Sequence, residues 1–186
     1  MWHNQGVALT QSSARAPRSA PPPLDAAALD RLALRYVERF ATSRGKLADY
    51  LARKIRERGW DGPPVDPRAV AQRMADAGYV DDRSFAAQKG AALARRGYGA
   101  RRVAETLRAA GLEEADRTPV VEEARAAALD SALRLAQRKR IGPFAAARAD
   151  PRTRERHLAA MLRGGHAMTI ARQVVDSAPG EIPVLD

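Results

Sequence analysis

The stretch most suggestive of chemistry is Gly-Tyr-Val-Asp-Asp-Arg-Ser-Phe-Ala at 78–86, which sets Asp81 beside Asp82 in a chain of net charge +10. Adjacent carboxylates suggest a metal site or a general acid–base pair. The spacing argues against both, because neighbouring residues on a helix do not face each other. No third carboxylate or histidine stands close in sequence, and His3, His157 and His166 are not at zinc spacing. There is no cysteine and no glycine-rich phosphate loop. A metal-dependent nuclease built on Asp81 and Asp82 is therefore the weakest reading. In the structural reading, Gly78 ends one helix and Tyr79 and Val80 tuck into a joint. Asp81 or Asp82 then caps the next helix, where negative charge meets the positive end of the dipole. Phe85 points back at the joint. No catalytic residue, metal or cofactor is expected.

The other candidates are cations. Arg95, Arg96, Arg101 and Arg102 flank the Gly-Tyr-Gly loop at 97–99, and Arg108 follows. Arg138, Lys139 and Arg140 close a later helix, while Lys46, Arg53, Lys54, Arg56 and Arg58 line an earlier one. Residues 24–60, 81–112 and 131–163 carry net charges of +4, +4 and +7, separated by neutral or acidic stretches. That alternation is expected of a repeated unit with one basic face. A single run of arginines near a helix C-terminus would say little, since the dipole favours it. Three runs at similar places suggest a continuous basic track for phosphates or an acidic surface. Tyr98 is the one aromatic among arginines and glycines; it either stacks on a base or plugs a joint between repeats. No zinc-finger or RNA-recognition signature is present, so base-specific readout has no support. His157 and His166 read as surface or interface residues.

These side chains must be carried by helices. Alanine, leucine, arginine and glutamate dominate, while aromatics make up only 5%. Apolar stripes run from Leu24 to Phe40 and from Leu47 to Ile55. Asp66-Pro67 and Asp150-Pro151 are N-cap and first-turn pairs. Gly59, Gly78, Gly97 and Gly111 read as helix stops. The segment Ile55-x-x-x-Gly59-Trp60 overlays Leu107-x-x-x-Gly111-Leu112, with Leu162-Arg163-Gly164 as a looser third copy. The expected fold is all-α, with tandem three-helix repeats stacked into an elongated, curved molecule. The repeats span 24–80, 81–125 and 126–178, between an N-terminal tail (1–23), read as disordered, and a C-terminal tail (179–186). Each unit looks too small to bury its own core, so neighbours must stack. The lack of cysteine fits a reducing cytoplasm. No stretch approaches the ~20 apolar residues of a membrane helix. The N-terminus has no apolar core of a secretory signal.

The middle segment, from Gly78 through the Leu-Ala-Arg-Arg-Gly-Tyr-Gly-Ala-Arg-Arg run at 93–102 to Leu112, resembles the signature of the RecX family. Residues 35–60 resemble that family's first repeat, including the Ser43-Arg44 that opens its second helix. Residues 138–177 resemble the third, with Gly165-His166 where an aromatic often follows the glycine. The resemblance implies a modulator, chiefly an inhibitor, of the recombinase RecA. Such a protein lodges in the groove of the RecA nucleoprotein filament, suppresses ATP hydrolysis and strand exchange, and touches single- or double-stranded DNA. It implies a role in DNA repair by homologous recombination and in the SOS response. Gly78, Tyr79, Asp81, Asp82 and Phe85 match the family's inter-repeat motif, and Arg95, Arg96, Arg101 and Arg102 its basic loop. A monomer without enzymatic activity is expected. The alternative is a stand-alone DNA- or RNA-binding protein using the same basic track.

Overall fold

The computed structural model describes residues 21–184, so the expected N-terminal tail lies outside the described residues except for Pro21–Pro23. Pro22 is tied down, its carbonyl accepting from the Arg58 guanidinium at 2.7 Å. Nine α-helices and one short 3₁₀ turn make up the described part. The first unit holds α1 (Ala26–Arg39), α2 (Arg44–Arg58) and α3 (Pro67–Asp76). The second holds α4 (Asp82–Arg95), α5 (Ala100–Ala109) and α6 (Glu114–Ala126). The third holds α7 (Ala128–Lys139), the 3₁₀ turn Gly142–Phe144, α8 (Pro151–Arg163) and α9 (Met168–Asp176). Units 2 and 3 are almost continuous, since only Ala127 (φ −92°, ψ 26°) separates α6 from α7.

The caps explain most boundaries. Asp66 and Asp150 accept from the amides of Arg68 and Thr153, with proline next in each helix. Leu24 departs from the expected helical stripe. It stays extended and wholly buried, donating its amide to Gly59 O (3.0 Å) and accepting from the Asp61 amide (2.9 Å). A fully buried leucine fits an apolar stripe and a clamp on a helix end equally well. Asp25 is the residue that caps α1.

The buried side chains fall into three clusters, one per unit. Leu29, Leu47, Leu51 and Val70 centre the first; Val103, Leu107 and Leu112 the second; Leu135, Met161 and Val174 the third. This corrects the expectation that no unit could close its own core. Alanine-rich helices approach closely, so even three short ones enclose a few leucines. The helix pairs in extensive contact all lie within one unit, and between units 2 and 3 α7 touches α4 and α6 only lightly.

The units are joined by helix ends. The start of α2 sits on the end of α5, where the Ser43 hydroxyl donates to Ala110 O. The start of α5 sits on the end of α8: Gly99 N donates to Gly164 O (2.9 Å) and Arg101 N to Gly165 O (3.3 Å). Each contact brings a positive helix terminus to a negative one. There is no room for side chains. A Cβ on Gly45 would lie 2.6 Å from Gly111 Cα, and one on Gly99 2.5 Å from Gly165 O. Positive φ at Gly59, Gly111 and Gly165 (83°, 69° and 89°) marks the same stop in all three second helices. The third copy of the overlay is therefore Met161-x-x-x-Gly165; Gly164 keeps helical dihedrals.

Two glycine substitutions separate backbone strain from joint packing. Gly78 (φ 79°) has nothing within 4 Å of an added Cβ, so Gly78→Ala should lower stability by about 1 kcal/mol. At Gly165 the added Cβ would also collide with Arg102 N, so Gly165→Ala should cost at least about twice as much. Equal shifts of the denaturant midpoints would mean that the close approach carries no energy.

Candidate functional site

The two acids of the opening motif divide their work. Asp81 is exposed and caps α4, accepting from Ser84 N (2.9 Å) and Ser84 Oγ (2.6 Å), which hold its carboxyl below the usual range. Asp82 is buried and reaches into unit 1. Its Oδ1 accepts from Arg44 N (2.8 Å) and its Oδ2 from Arg44 Nε (2.9 Å). It therefore caps α2 from the neighbouring unit and pairs with the first side chain of that helix. The same guanidinium approaches Asp116 of α6 (3.5 Å) and Glu113 just before it (3.6 Å), and bonds Gln72 Oε1 (2.9 Å) of α3. The Asp82 hydrogen bond is the main cause of the raised Arg44 pKa. Phe85 lies half-buried in the second core with the Lys46 ammonium 5.6 Å from its ring. Val80 is buried, but Tyr79 is 55% exposed, against the expectation that it fills the joint. The turn explains this: Gly78 reverses the chain and Tyr79 N bonds Met74 O, turning the ring outward. Among the described residues no three of His, Asp and Glu gather as metal ligands.

The basic residues come together at the second joint. A cleft of about 530 Å³ between units 2 and 3 is lined by Tyr98, Arg101, Arg102, Arg138, Lys139 and Arg163, with Glu105 as the one anion. Packing of α4 against α7 creates it: a Cβ on Gly97 would meet Leu135 N at 2.6 Å. Two of the cations also build the walls. Arg101 donates to Leu162 O (2.7 Å) at the end of α8, and Arg138 to Arg96 O (2.6 Å) at the end of α4. Arg102, Lys139 and Arg163 make no such carbonyl bond. Tyr98 is half-buried with the Arg96 guanidinium 5.1 Å from its ring, so it both packs the second core and faces the cleft. Four expected residues stand apart from the lining, the first being Arg96, whose guanidinium lies by the Tyr98 ring. Arg95 ends α4, Arg140 leaves α7 in a left-handed conformation (φ 55°), and Arg108 lies at the far end of α5 from Arg101.

No protein-family profile matches the chain. A curated protein of Myxococcus xanthus (strain DK1622), described as "Regulatory protein RecX", is 32% identical over 170 aligned residues, which cover 81% of this chain and 86% of the relative. The chain belongs to the RecX family. In this RecX-family chain, Gly165-His166 is a latch. His166 is buried, and its Nε2 lies 3.0 Å from Gly97 O, across the joint. That carbonyl can only accept, so Nε2 carries the proton and Nδ1 is buried without a partner. Burial pushes the His166 pKa below 6.5, opposed by the Gly97 bond.

Sequence reasoning missed Arg163, Arg44 as a clamp on three carboxylates, and Gly45. The close Gly45–Gly111 pair had one signal, two glycines placed at helix ends of successive units. Arg163 had none, because it joins the cleft only through the packing of α8.

Two outcomes follow. Asp81→Ala removes a cap and should cost about 1 kcal/mol, whereas Asp82→Ala leaves the Arg44 amide without its acceptor, takes the nearest carboxylate from the guanidinium and should cost about 2–3 kcal/mol; comparable losses in urea melts would remove the inter-unit role of Asp82. Protonated His166 has no acceptor for Nδ1, so its contribution is complete above pH 6.5 and is lost as the pH falls through its lower folded-state pKa. His157, also held low by burial, adds to the same slope. His166→Gln should flatten part of the fall in stability below pH 6.5; an unchanged slope would assign it elsewhere.

Proposed function

We propose that this protein is a non-enzymatic regulator of RecA that binds the RecA–DNA filament as a monomer in the cytoplasm and suppresses ATP hydrolysis and strand exchange. The family supports RecA as the partner. The observation that carries the DNA contact is the convergence of five cations from α5, α7 and α8 on one cleft. A polyanion satisfies such a cluster and releases counterions, whereas a small neutral ligand would leave it uncompensated. The motif residues Gly78, Asp81, Asp82 and Phe85 serve the architecture, holding unit 1 in a set relation to unit 2. A chain of three self-cored units, bridged over successive protomers, resists the subunit movements that nucleotide turnover requires. Arg101 and Arg138 keep the cleft open in shape, while Arg102, Lys139 and Arg163 meet the phosphates.

The test uses the cations that hold no joint bond. Arg102→Glu with Lys139→Glu should keep the wild-type melting temperature. It should require roughly tenfold or more protein to inhibit the DNA-dependent ATPase of RecA. Unchanged inhibition would end the role of the cleft. Wild-type protein should also prefer RecA filaments to bare single-stranded DNA. Equal affinity, with a steep salt dependence on the bare strand, would favour the stand-alone nucleic-acid binder.

A further inference from the structure

Aromatic residues are scarce in this chain, yet three gather on unit 1, away from the cleft. Tyr36 on α1 and Tyr50 on α2 stack with ring centroids 4.3 Å apart and planes at 23°. Phe40, one turn beyond Tyr36, leans on it at 5.2 Å with the planes tilted by 48°. Three cations attend the rings: Arg39 lies 5.8 Å from the Phe40 centroid, and Arg53 and Lys54 lie 5.6 and 5.9 Å from that of Tyr50. One anion, Glu57, offsets part of the charge, at 2.6 Å from Lys54 and 3.6 Å from Arg53.

Core packing accounts for Tyr36 and Tyr50, which rest on the buried residues of unit 1. It does not account for Phe40. That ring follows the last helical residue and stays 52% exposed beside the stacked pair. An open aromatic face beside arginines and a lysine is what a sequence-tolerant nucleobase platform requires. We infer that this face of unit 1 is a second nucleic-acid contact: one base of a single strand stacks on the open face of Phe40, beside the Tyr50–Tyr36 pair, and Arg39, Arg53 and Lys54 take the flanking phosphates. The occupant is a single strand because base faces inside a duplex are covered by their neighbours. The inference shares its class of partner with the proposed function but not its residues.

Fluorescence anisotropy at low salt tests it with two labelled probes of equal length, oligothymidylate and an abasic oligomer that keeps the phosphates. Phe40→Leu, at an exposed position, should bind oligothymidylate about five- to tenfold more weakly and the abasic strand as the wild type does. Wild-type protein should prefer the intact strand by a similar factor. Arg102→Glu with Lys139→Glu should weaken both probes alike, which reports on the cleft separately. The inference is overturned by unchanged oligothymidylate binding in Phe40→Leu, by an equal loss on both probes, or by no wild-type binding of the intact strand at low salt.

Discussion

Helix ends that meet without intervening side chains set everything else in this molecule. At both joints the first turn of one second helix rests on the glycine stop of the next, close enough that a methyl group would not fit. The energy of such a contact comes from hydrogen bonds and helix dipoles aligned head to tail, with little from apolar area. It is therefore strict in geometry. A core can repack around a lost methylene, but a carbonyl facing an amide cannot move an ångström and still bond.

The two joints meet the same demand differently. At the start of α5 the amides find the carbonyls of Gly164 and Gly165, and Gly99 is the only residue type that leaves them space. At the start of α2 the first amide is taken by the Asp82 carboxylate, which brings Arg44 with it. The first joint is thus charged and networked, while the second is closed by backbone and by the neutral His166. Removing a partner from either leaves polar groups in a dry contact, so both are sensitive to single substitutions.

The basic cleft follows from the second joint. Its cations come from residues far apart in sequence and share one space only because Gly97 lets α4 press on α7 and Gly165 lets α5 press on α8. Arg101 and Arg138 serve twice, bonding carbonyls at helix ends while presenting charge to the cleft. Because the same groups shape and charge the cleft, its form cannot change without disturbing the joint.

Local chemistry determined much of this from the sequence. Aspartate followed by proline set helix starts, positive-φ glycines set stops, and the 3.6-residue stripes set which faces are buried, because each depends only on a few neighbouring residues. The motif at 78–86 could be read as a joint for the same reason. What the sequence could not decide is which partner each polar group takes once helices meet. Asp81 and Asp82 are chemically identical neighbours, and only the docking of α2 makes one a cap for its own helix and the other a clamp on the unit before. Tyr79 faces water, Leu24 leaves its helix and Arg163 joins a cleft for reasons that lie in residues distant along the chain. Those are questions of close packing in three dimensions, where a fraction of an ångström chooses between contact and exposure.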